Sequence, residues 1–312
     1  MFRLLFSRLL MSIPVVLIVM VVVFLLVRLT GDPASLLAGD LASPAVLAEI
    51  RARLGLDQPL VVQFFVWIGE LLRGDLGQSV LSSRPVAEEI GRRIEPTLIL
   101  TLSSIVLTVL IAVPIGAIAA WKHEQMTDRI LMMLSVIGFS VPTFVIGYVL
   151  IMIGALWLDL LPVQGYVSPL DDFWNGLYHL ILPTLTLSVF FMSLIARVTR
   201  ASVLEVMGED FIRAARAKGL PERRVLWKHA FRNASVPVVT VIGLGIGMLI
   251  SGVVVTESVF NIPGVGRLTI DAILSRDFPV VQGVIIFFAL TYVAINLLID
   301  IAYVLIDPRI RY

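Results

Sequence analysis

Six long runs without a charged residue constrain this sequence more than any other feature. They cover about residues 9–27, 97–120, 130–158, 173–196, 233–256 and 278–299. A helix of roughly 20 apolar residues crosses the roughly 30 Å of hydrocarbon in a bilayer. Only helices and closed barrels satisfy their backbone groups there, and these runs lack the two-residue alternation of barrel strands. The sequence therefore predicts an all-α membrane protein with six transmembrane helices.

The distribution of Lys and Arg predicts the orientation of these helices. With a cytoplasmic amino terminus, the inner segments hold fifteen basic residues, nine of them between residues 197 and 232. The two short outer loops, 159–172 and 257–277, hold only Arg267 and Arg276. Short cytoplasmic loops carry the excess of positive charge in membrane proteins. Both termini of this multi-pass membrane protein are therefore expected in the cytoplasm.

The same pattern divides the chain into four segments. Residues 1–29 are expected to form a cytoplasmic stub and the first transmembrane helix, and residues 30–95 an extracytoplasmic segment of short helices. Residues 96–306 form the core with five transmembrane helices, and residues 307–312 form a cytoplasmic tail. Within the outer segment, the stretch 61–72 contains Trp67 and is hydrophobic enough to lie at the membrane interface. It serves either as a cap over the outer helix ends or as a docking surface.

Several classes of chemistry find no support in the residues. Cysteine is absent, and no P-loop, GxSxG or HExxH motif occurs. The three histidines fall on different sides of the predicted membrane, so no metal site and no catalytic residue is predicted. A net charge of +1 gives no field that attracts nucleic acid. Glu257 and Asp300 are acids near span ends, which is a weak case for a proton relay.

Polar side chains within the predicted spans have two interpretations. They line a translocation pathway, or they form hydrogen bonds between helices. The candidates for the pathway are Ser140, Thr143, Thr184, Thr186, Ser188 and Thr240.

One basic loop stands apart from the apolar remainder of the chain. Seven of the 24 basic residues lie in "RAARAKGLPERRVLWKHAFRN", residues 213–233. Asp210 is expected to cap a first helix, Gly219 to adopt the left-handed conformation at its end, and Pro221 to sit in the first turn of a second helix. That second helix runs directly into the fifth span. The pattern predicts a helical elbow.

Three functions of this elbow are compatible with its composition. It fixes topology and contacts anionic lipid heads, it reads DNA as a helix-turn-helix, or it docks a cytoplasmic protein and transmits force to the fused span. A DNA reader is disfavoured because the elbow is tethered between two spans and has no core of its own. Small residues at 214, 215 and 217 favour docking, because they allow another surface to approach the helix closely.

The stretch "EDFIRAARAKGLPERRVLWKHAFRNASVPVVTVIGL" resembles the EAA loop of ATP-binding-cassette importer permeases, in particular the dipeptide, oligopeptide and nickel permease group. The resemblance extends over the whole chain through "GDLGQSV", "FSVPTF", "ILPTLTL", "TESVFNIPGVGRL" and "DPRIRY". Ala214, Ala215 and Gly219 match the Ala-Ala-x-x-x-Gly core of the loop. Arg213 replaces the usual Glu, and Pro237 lies further downstream than in the general pattern.

The resemblance implies the fold of a type I importer permease and a set of partners. These are a second, similar permease, two cytoplasmic ATPases and an extracytoplasmic substrate-binding protein. The implied ATPase-coupling residues are Asp210, Arg213, Ala214, Ala215, Arg216, Ala217, Lys218, Gly219, Leu220 and Pro221. The chain itself is then no enzyme and binds no cofactor, and ATP and Mg belong to the partner ATPases.

The function implied is ATP-driven import of peptides of the dipeptide, oligopeptide or glutathione class. Import of a nickel chelate remains an alternative within the same family. An ion-driven secondary transporter and a membrane scaffold that only recruits cytoplasmic proteins are alternatives from other classes.

Overall fold

The structure, a computed structural model, describes residues 2–30, 34, 43–53 and 55–306 and is helical throughout its regular elements. The expected tail at 307–312 and parts of the expected segment 30–95 lie outside the described residues. The helices are α1 Phe2–Thr30, α2 Pro44–Arg53, α3 Leu60–Leu72, α4 Val86–Trp121, α5 Met126–Ser140, α6 Thr143–Ile151, α7 Phe173–Met207, α8 Asp210–Ala217, α9 Glu222–Arg224, α10 Phe231–Val259, α11 Val265–Leu274 and α12 Phe278–Ile306. Two π-helical segments, Met152–Trp157 and Val225–Ala230, directly follow α6 and α9.

In the described part of the chain, five helices are long and apolar enough to cross a membrane, in α1, α4, α7, α9–α10 and α12. The sixth predicted span is a broken one. The run 130–158 is divided between two helical pieces, α5 and the piece formed by α6 with the π-helical segment that follows it. The two pieces meet at an angle of 105°. The prediction of six transmembrane helices is confirmed when this bent pair is taken as one span.

The break lies at Pro142 for a local reason. Val141 has φ −86° and ψ 128°, the extended conformation that the ring of a following proline imposes. Pro142 itself precedes the first turn of α6, where its missing N–H costs nothing. Pro114, Pro183 and Pro237 lie inside continuous helices. Membrane helices tolerate such prolines when neighbouring groups satisfy the freed carbonyls.

The chain divides into two compact units, of which the first comprises residues 1–95 and 268–297. In this unit α3 packs on α1 through aromatic rings: Phe24 lies 5.3 Å from Phe64 and 5.7 Å from Trp67 between ring centroids. No residue of α3 is buried, and Val61, Phe65 and Leu72 are exposed. Helix α3 is therefore fixed by one face and presents apolar side chains on the remainder.

The second unit comprises residues 96–267 and 298–312. Helix α7 is the most buried of the candidate spans and packs against α5, α6 and α10. A large core cluster joins α6, α7 and α10 through apolar residues such as Ile151, Leu187, Phe191, Leu249 and Val253. Because α7 leads directly into the basic loop, this packing fixes the base from which the elbow projects.

Candidate coupling site

The elbow begins where α7 ends at Met207, and Gly208 and Glu209 connect it to α8. The expectation that Asp210 caps α8 is wrong. Glu209 holds the cap position with φ −71° and ψ 151°, and no side chain caps the helix. Asp210 is the first helical residue, where its charge favours the positive end of the helix dipole.

Helix α8 has one buried face and one exposed face. Ile212 is fully buried and Ala215 is 7% exposed. Both belong to a core cluster within the second unit, whose other buried members are Ala120, Val203, Val225, Leu226, Ala230 and Ala234. Ala215 is small because the helix lies close to its own chain, which leaves no room for a larger residue there. It is a packing residue rather than part of a free surface.

The exposed face of α8 carries the other predicted residues. Arg213, Ala214, Arg216, Ala217, Lys218 and Gly219 are all exposed, and Leu220 is half-buried. Phe211, which the sequence did not single out, is 43% exposed on the same short helix. No sequence signal identified Phe211 as exposed, because consecutive apolar residues such as Phe211 and Ile212 can both face the core from an amphipathic helix. An exposed aromatic surrounded by small and basic residues is typical of a contact surface.

The turn after α8 depends on Gly219, which has φ +77° as predicted. Its N–H donates to Arg216 O at 2.9 Å, and the N–H of Leu220 donates to Ala215 O at 3.4 Å. These bonds satisfy carbonyls at the end of α8, and the left-handed conformation favours glycine. Pro221 lies one position before α9 rather than inside its first turn, with φ −65° and ψ 141°.

A salt bridge joins the two arms of the elbow. Arg216 Nε donates to Glu222 Oε1 at 2.7 Å and Arg216 Nη2 to Oε2 at 3.2 Å. Both side chains are about 40% exposed, so solvent weakens the pair, and its contribution to stability is at most about 1 kcal/mol. The bidentate geometry restrains the angle of the turn more than it stabilises the fold.

Arg213, which departs from the family pattern, forms only local contacts among the described residues. Its Nη1 lies 3.2 Å from Asp210 Oδ1, and its Nη2 donates to Gly208 O at 3.3 Å. The side chain is 73% exposed. It therefore closes the first turn of α8 and leaves much of its guanidinium in solvent.

The second arm continues without interruption into the membrane. Helix α9, the π-helical segment Val225–Ala230 and α10 follow one another directly, and residues 222–249 qualify together as one candidate span. Val225, Leu226 and Ala230 in the π segment are buried in the same core cluster as Ala215. The elbow and the span that follows it are therefore connected both by the chain and by packed side chains.

A buried ion pair anchors the base of the elbow, and sequence reasoning missed it. Asp128, at the start of α5, has a side chain that is 4% exposed, and Arg200 on α7 donates to both of its oxygens at 2.6 and 2.7 Å. The Glu124 N–H donates to Asp128 Oδ2 at 3.1 Å, and His123 Nδ1 lies 3.4 Å from the same atom. No sequence signal links two residues that are 72 positions apart. Arg200 is one of the nine basic residues between 197 and 232, and no prediction was made for Asp128.

The predicted pathway residues differ in burial. Thr184, Thr186 and Ser188 are buried within the second unit, where Thr184 bonds Ser103 Oγ at 2.9 Å and Ser188 donates to Ser104 O at 3.2 Å. These three therefore take part in contacts within and between helices. The other three are less buried: Ser140 is exposed, and Thr143 and Thr240 are half-buried. Their role in a pathway stays a prediction.

Glu257, one of the two acids near predicted span ends, is fully buried. Its carboxylate accepts hydrogen bonds from Thr97 Oγ1 at 2.6 Å and from the Arg267 N–H at 2.9 Å. The Thr97 hydroxyl oxygen accepts in turn from the Val265 N–H at 2.9 Å. Gly264 lies so close that a Cβ there would be 2.1 Å from Glu257 Oε1. The carboxylate therefore holds the loop between α10 and α11 and stabilises the amino-terminal end of α11.

These features define a class of protein: a multi-span helical permease with a cationic elbow fused to one of its spans. Residues 112–312 match the family described as "Binding-protein-dependent transport system inner membrane component", and residues 1–101 match the amino-terminal region of the same kind of component. The chain belongs to this family of ABC transporter permeases of the inner membrane.

Similar proteins cover nearly the whole chain. It is 49% identical to a protein of Sinorhizobium fredii named probable peptide ABC transporter permease protein y4tP, over 98% of both chains. It is 47% identical to the glutathione transport system permease protein GsiC of Salmonella typhimurium, again over 98% of both chains. In fold it is similar to a chain of the MetNI methionine ABC transporter, with a TM-score of 0.58 at 17% identity over 70% of this chain and 96% of that chain. The expectation of a type I importer permease fold is confirmed.

Proposed function

We propose that this chain is the translocation subunit of an ATP-driven peptide importer and that its elbow, residues 208–224, is the docking site for a cytoplasmic ATPase. The observation that carries the proposal is the division of α8 into two faces. Ile212 and Ala215 pack into the core that includes the start of the next span, whereas Phe211, Ala214 and Ala217 are free to contact a partner. A displacement of the free face therefore moves the packed face and the span with it.

The orientation supports the same proposal. An elbow on the cytoplasmic side agrees with the positive-inside distribution of Lys and Arg. Exposed Arg213 and Lys218 present positive charge to an approaching partner. Such charge directs encounter and orientation more than it adds affinity. The partner ATPases bind and hydrolyse ATP with Mg, and this chain makes and breaks no covalent bond.

The proposed assembly contains a second permease, two ATPases and an extracytoplasmic substrate-binding protein. Peptide cargo is supported by the relatives named for peptides and for glutathione. Purifying the complex with its binding protein and identifying the bound ligand by mass spectrometry tests the cargo. A peptide ligand supports the proposal, and a nickel chelate contradicts the cargo while leaving the transport class intact.

Docking is tested by cysteine crosslinking, which is direct because the chain has no native cysteine. Ala217→Cys lies on the exposed face and should crosslink to an ATPase in the assembled complex. Ala215→Cys lies two residues away on the buried face and should not. Equal crosslinking at both positions, or no crosslink at 217, would contradict the proposed docking face. Labelling of 217 by an impermeant reagent added to the outside of intact cells would also contradict it.

Loss of coupling is the functional counterpart of this test. Phe211→Asp places a charge at the centre of the proposed contact surface without disturbing the buried face. We expect substrate-stimulated ATP hydrolysis by the reconstituted complex to fall at least tenfold, since removal of an interface aromatic often costs more than about 1.4 kcal/mol. Phe211→Tyr, which keeps an aromatic ring at the same exposed position, is the matched control and should leave ATP hydrolysis close to the native rate.

A further inference from the structure

The first unit contains a cavity of about 490 Å³ that the proposed transport function does not use. It lies between the last turns of α1 and the first turns of α12, both of which are candidate membrane spans. Its apolar lining residues are Val23, Leu26, Val27, Ile273, Phe278, Val281 and Ile285. The volume is within the range of ligand pockets in proteins, about 300–1,000 Å³.

The floor and the edge of the cavity differ. Val23, Val27 and Phe278 are less than 10% exposed and form the floor, whereas Leu26 and Ile273 are 50% and 56% exposed and form the edge. Because α1 and α12 are surrounded by hydrocarbon in a membrane, the groove opens toward lipid tails rather than water. An apolar groove in this setting suits an acyl chain.

One cation also lines the cavity. Arg276 is exposed, adopts φ +58°, and its guanidinium has no hydrogen-bond or ion-pair partner in the described part of the chain. It is one of only two basic residues in the short outer loops. The other, Arg267, donates a hydrogen bond to Asn261. Arg276 is therefore a positive charge at the end of a membrane groove, and it has no side-chain partner among the described residues.

The neighbouring acid does not neutralise Arg276. Asp277 is 2% exposed and its carboxylate accepts from Ser79 Oγ at 2.6 Å and, more weakly, from the N–H groups of Val80, Leu81 and Val280 at 3.3 to 3.4 Å. These bonds direct the carboxylate into the protein, where it caps the start of α12. The backbone reversal at Arg276 places the two charges of this Arg-Asp pair in different environments, one solvated and one buried.

We propose that this groove binds one anionic phospholipid, with an acyl chain in the cavity and the phosphate at Arg276. Basic pockets between transmembrane helices recognise anionic headgroups in this way. Arg supplies two parallel N–H donors that match a phosphate. The site rests on the membrane topology of the proposed function, in which this end of α1 and α12 faces the outer leaflet, and it is independent of peptide transport and of ATP hydrolysis.

Native mass spectrometry of the purified permease complex tests the proposal. The complex is incubated with mixed micelles that contain equal amounts of phosphatidylglycerol and phosphatidylethanolamine, and the lipid retained by this chain is measured. We expect phosphatidylglycerol to be retained in preference. Because both lipids carry a phosphate and only phosphatidylglycerol has a net negative charge, equal retention would overturn the proposed preference of this groove for an anionic phospholipid.

Four variants distinguish the contribution of the headgroup contact at Arg276 from that of the apolar groove. Arg276→Gln should reduce phosphatidylglycerol retention about fivefold, the effect of roughly one basic residue near a membrane surface. Arg276→Lys should keep most of the preference, and Arg73→Gln, an exposed arginine of the same unit outside the cavity lining, should not change it. Gln and Lys at 276 bear the same backbone strain as Arg, so the fold is retained. Val281→Trp fills the groove and should abolish retention of both lipids, and unaltered retention would overturn the proposal.

A different occupant of the groove is detected by crosslinking. Val281→Cys in this cysteine-free chain should react with a lipid-soluble maleimide and form no protein crosslink. A crosslink to the second permease would show that the groove is a subunit contact. A crosslink to a cysteine introduced at Ala38 would show that residues 31–42 of the same chain fill it. Either result would overturn the lipid site, while the crosslinking and ATP hydrolysis tests of the elbow would be unaffected.

Discussion

Arg200 on α7 holds Asp128 on α5 through two hydrogen bonds, from Nε to Oδ1 at 2.6 Å and from Nη2 to Oδ2 at 2.7 Å. The carboxylate is nearly inaccessible to solvent, and Arg200 is about one quarter exposed. Seven residues after Arg200, α7 ends and the elbow begins. The pair therefore fixes the start of α5 against the helix that leads into the proposed ATPase docking site.

Asp128→Asn should destabilise the second unit. An amide presents only one acceptor to the two guanidinium donors, so a partly buried charge loses a partner, and we expect a loss of about 1–3 kcal/mol. Thermal unfolding of the detergent-solubilised complex measures this. Asp57→Asn, an exposed carboxylate, is the matched control and should leave Tm unchanged. Equal effects of the two variants would show that the Asp128–Arg200 pair contributes no specific stability.

Arg200→Lys should also destabilise, although it retains the charge. A lysine ammonium cannot reproduce the two-point contact of a guanidinium with a carboxylate. The same unfolding measurement should give a Tm between those of the native chain and Asp128→Asn. If Arg200→Lys has the same Tm as the native chain, charge alone holds α5 to α7 and the bidentate geometry is not needed.

Ala215→Leu and Ala217→Leu should have opposite consequences. Residue 215 lies in the core cluster with Ile212 and Leu226, so a leucine there overpacks it and costs about 1–3 kcal/mol. Residue 217 is exposed, so its leucine should leave Tm unchanged and weaken coupling to the ATPase. Tm and substrate-stimulated ATP hydrolysis, measured on both variants, distinguish packing from docking. If Ala217→Leu unfolds the chain and Ala215→Leu does not, the assignment of the two faces is reversed.

Gly219→Ala should destabilise the elbow through the backbone alone. A Cβ at this position would meet no atom within 4 Å, so any loss reflects the φ of +77° rather than a clash. Alanine in the left-handed conformation costs about 1–2 kcal/mol. Gly219→Asn should cost less, because asparagine tolerates this region. Protease sensitivity of the loop and Tm of the complex are the measurements, and equal stability of the Ala and Asn variants would contradict this account.

Gly264→Ala should displace the buried carboxylate of Glu257. The added Cβ would lie 2.1 Å from Oε1, so the loop between α10 and α11 must shift and lose hydrogen bonds. We expect a loss of about 1–3 kcal/mol in unfolding experiments. Gly91→Ala provides the contrast: it lies in helix α4 with open space around it and should stabilise the helix by about 0.5–1 kcal/mol. A tolerated Gly264→Ala would show that Glu257 does not hold the loop.

Much of this architecture follows from local sequence patterns. The uncharged runs located five helical spans, and Gly219 marked the end of the first arm of the elbow, because apolar length and left-handed backbone conformations are properties of a short segment. The third run is divided into two helices because Pro142 imposes an extended conformation on Val141, and apolar length alone does not show how sharply a span bends there. The predicted cap at Asp210 is wrong because α8 begins one residue earlier than a cap at Asp210 requires, and sequence preference does not fix a helix boundary to one residue.

The sequence by itself determined that this chain spans a membrane, that its positive charge concentrates in one loop, and that this loop resembles the coupling element of importer permeases. Only the tertiary structure decided that Ala215 packs inward while Phe211 remains exposed, that Asp128 pairs with Arg200, and that Glu257 is enclosed by Thr97 and Gly264. The physical reason is that hydrophobic length and turn preference are carried by neighbouring residues. The partner of a buried charge and the inward face of a short helix depend on residues far away in the sequence, which packing brings together.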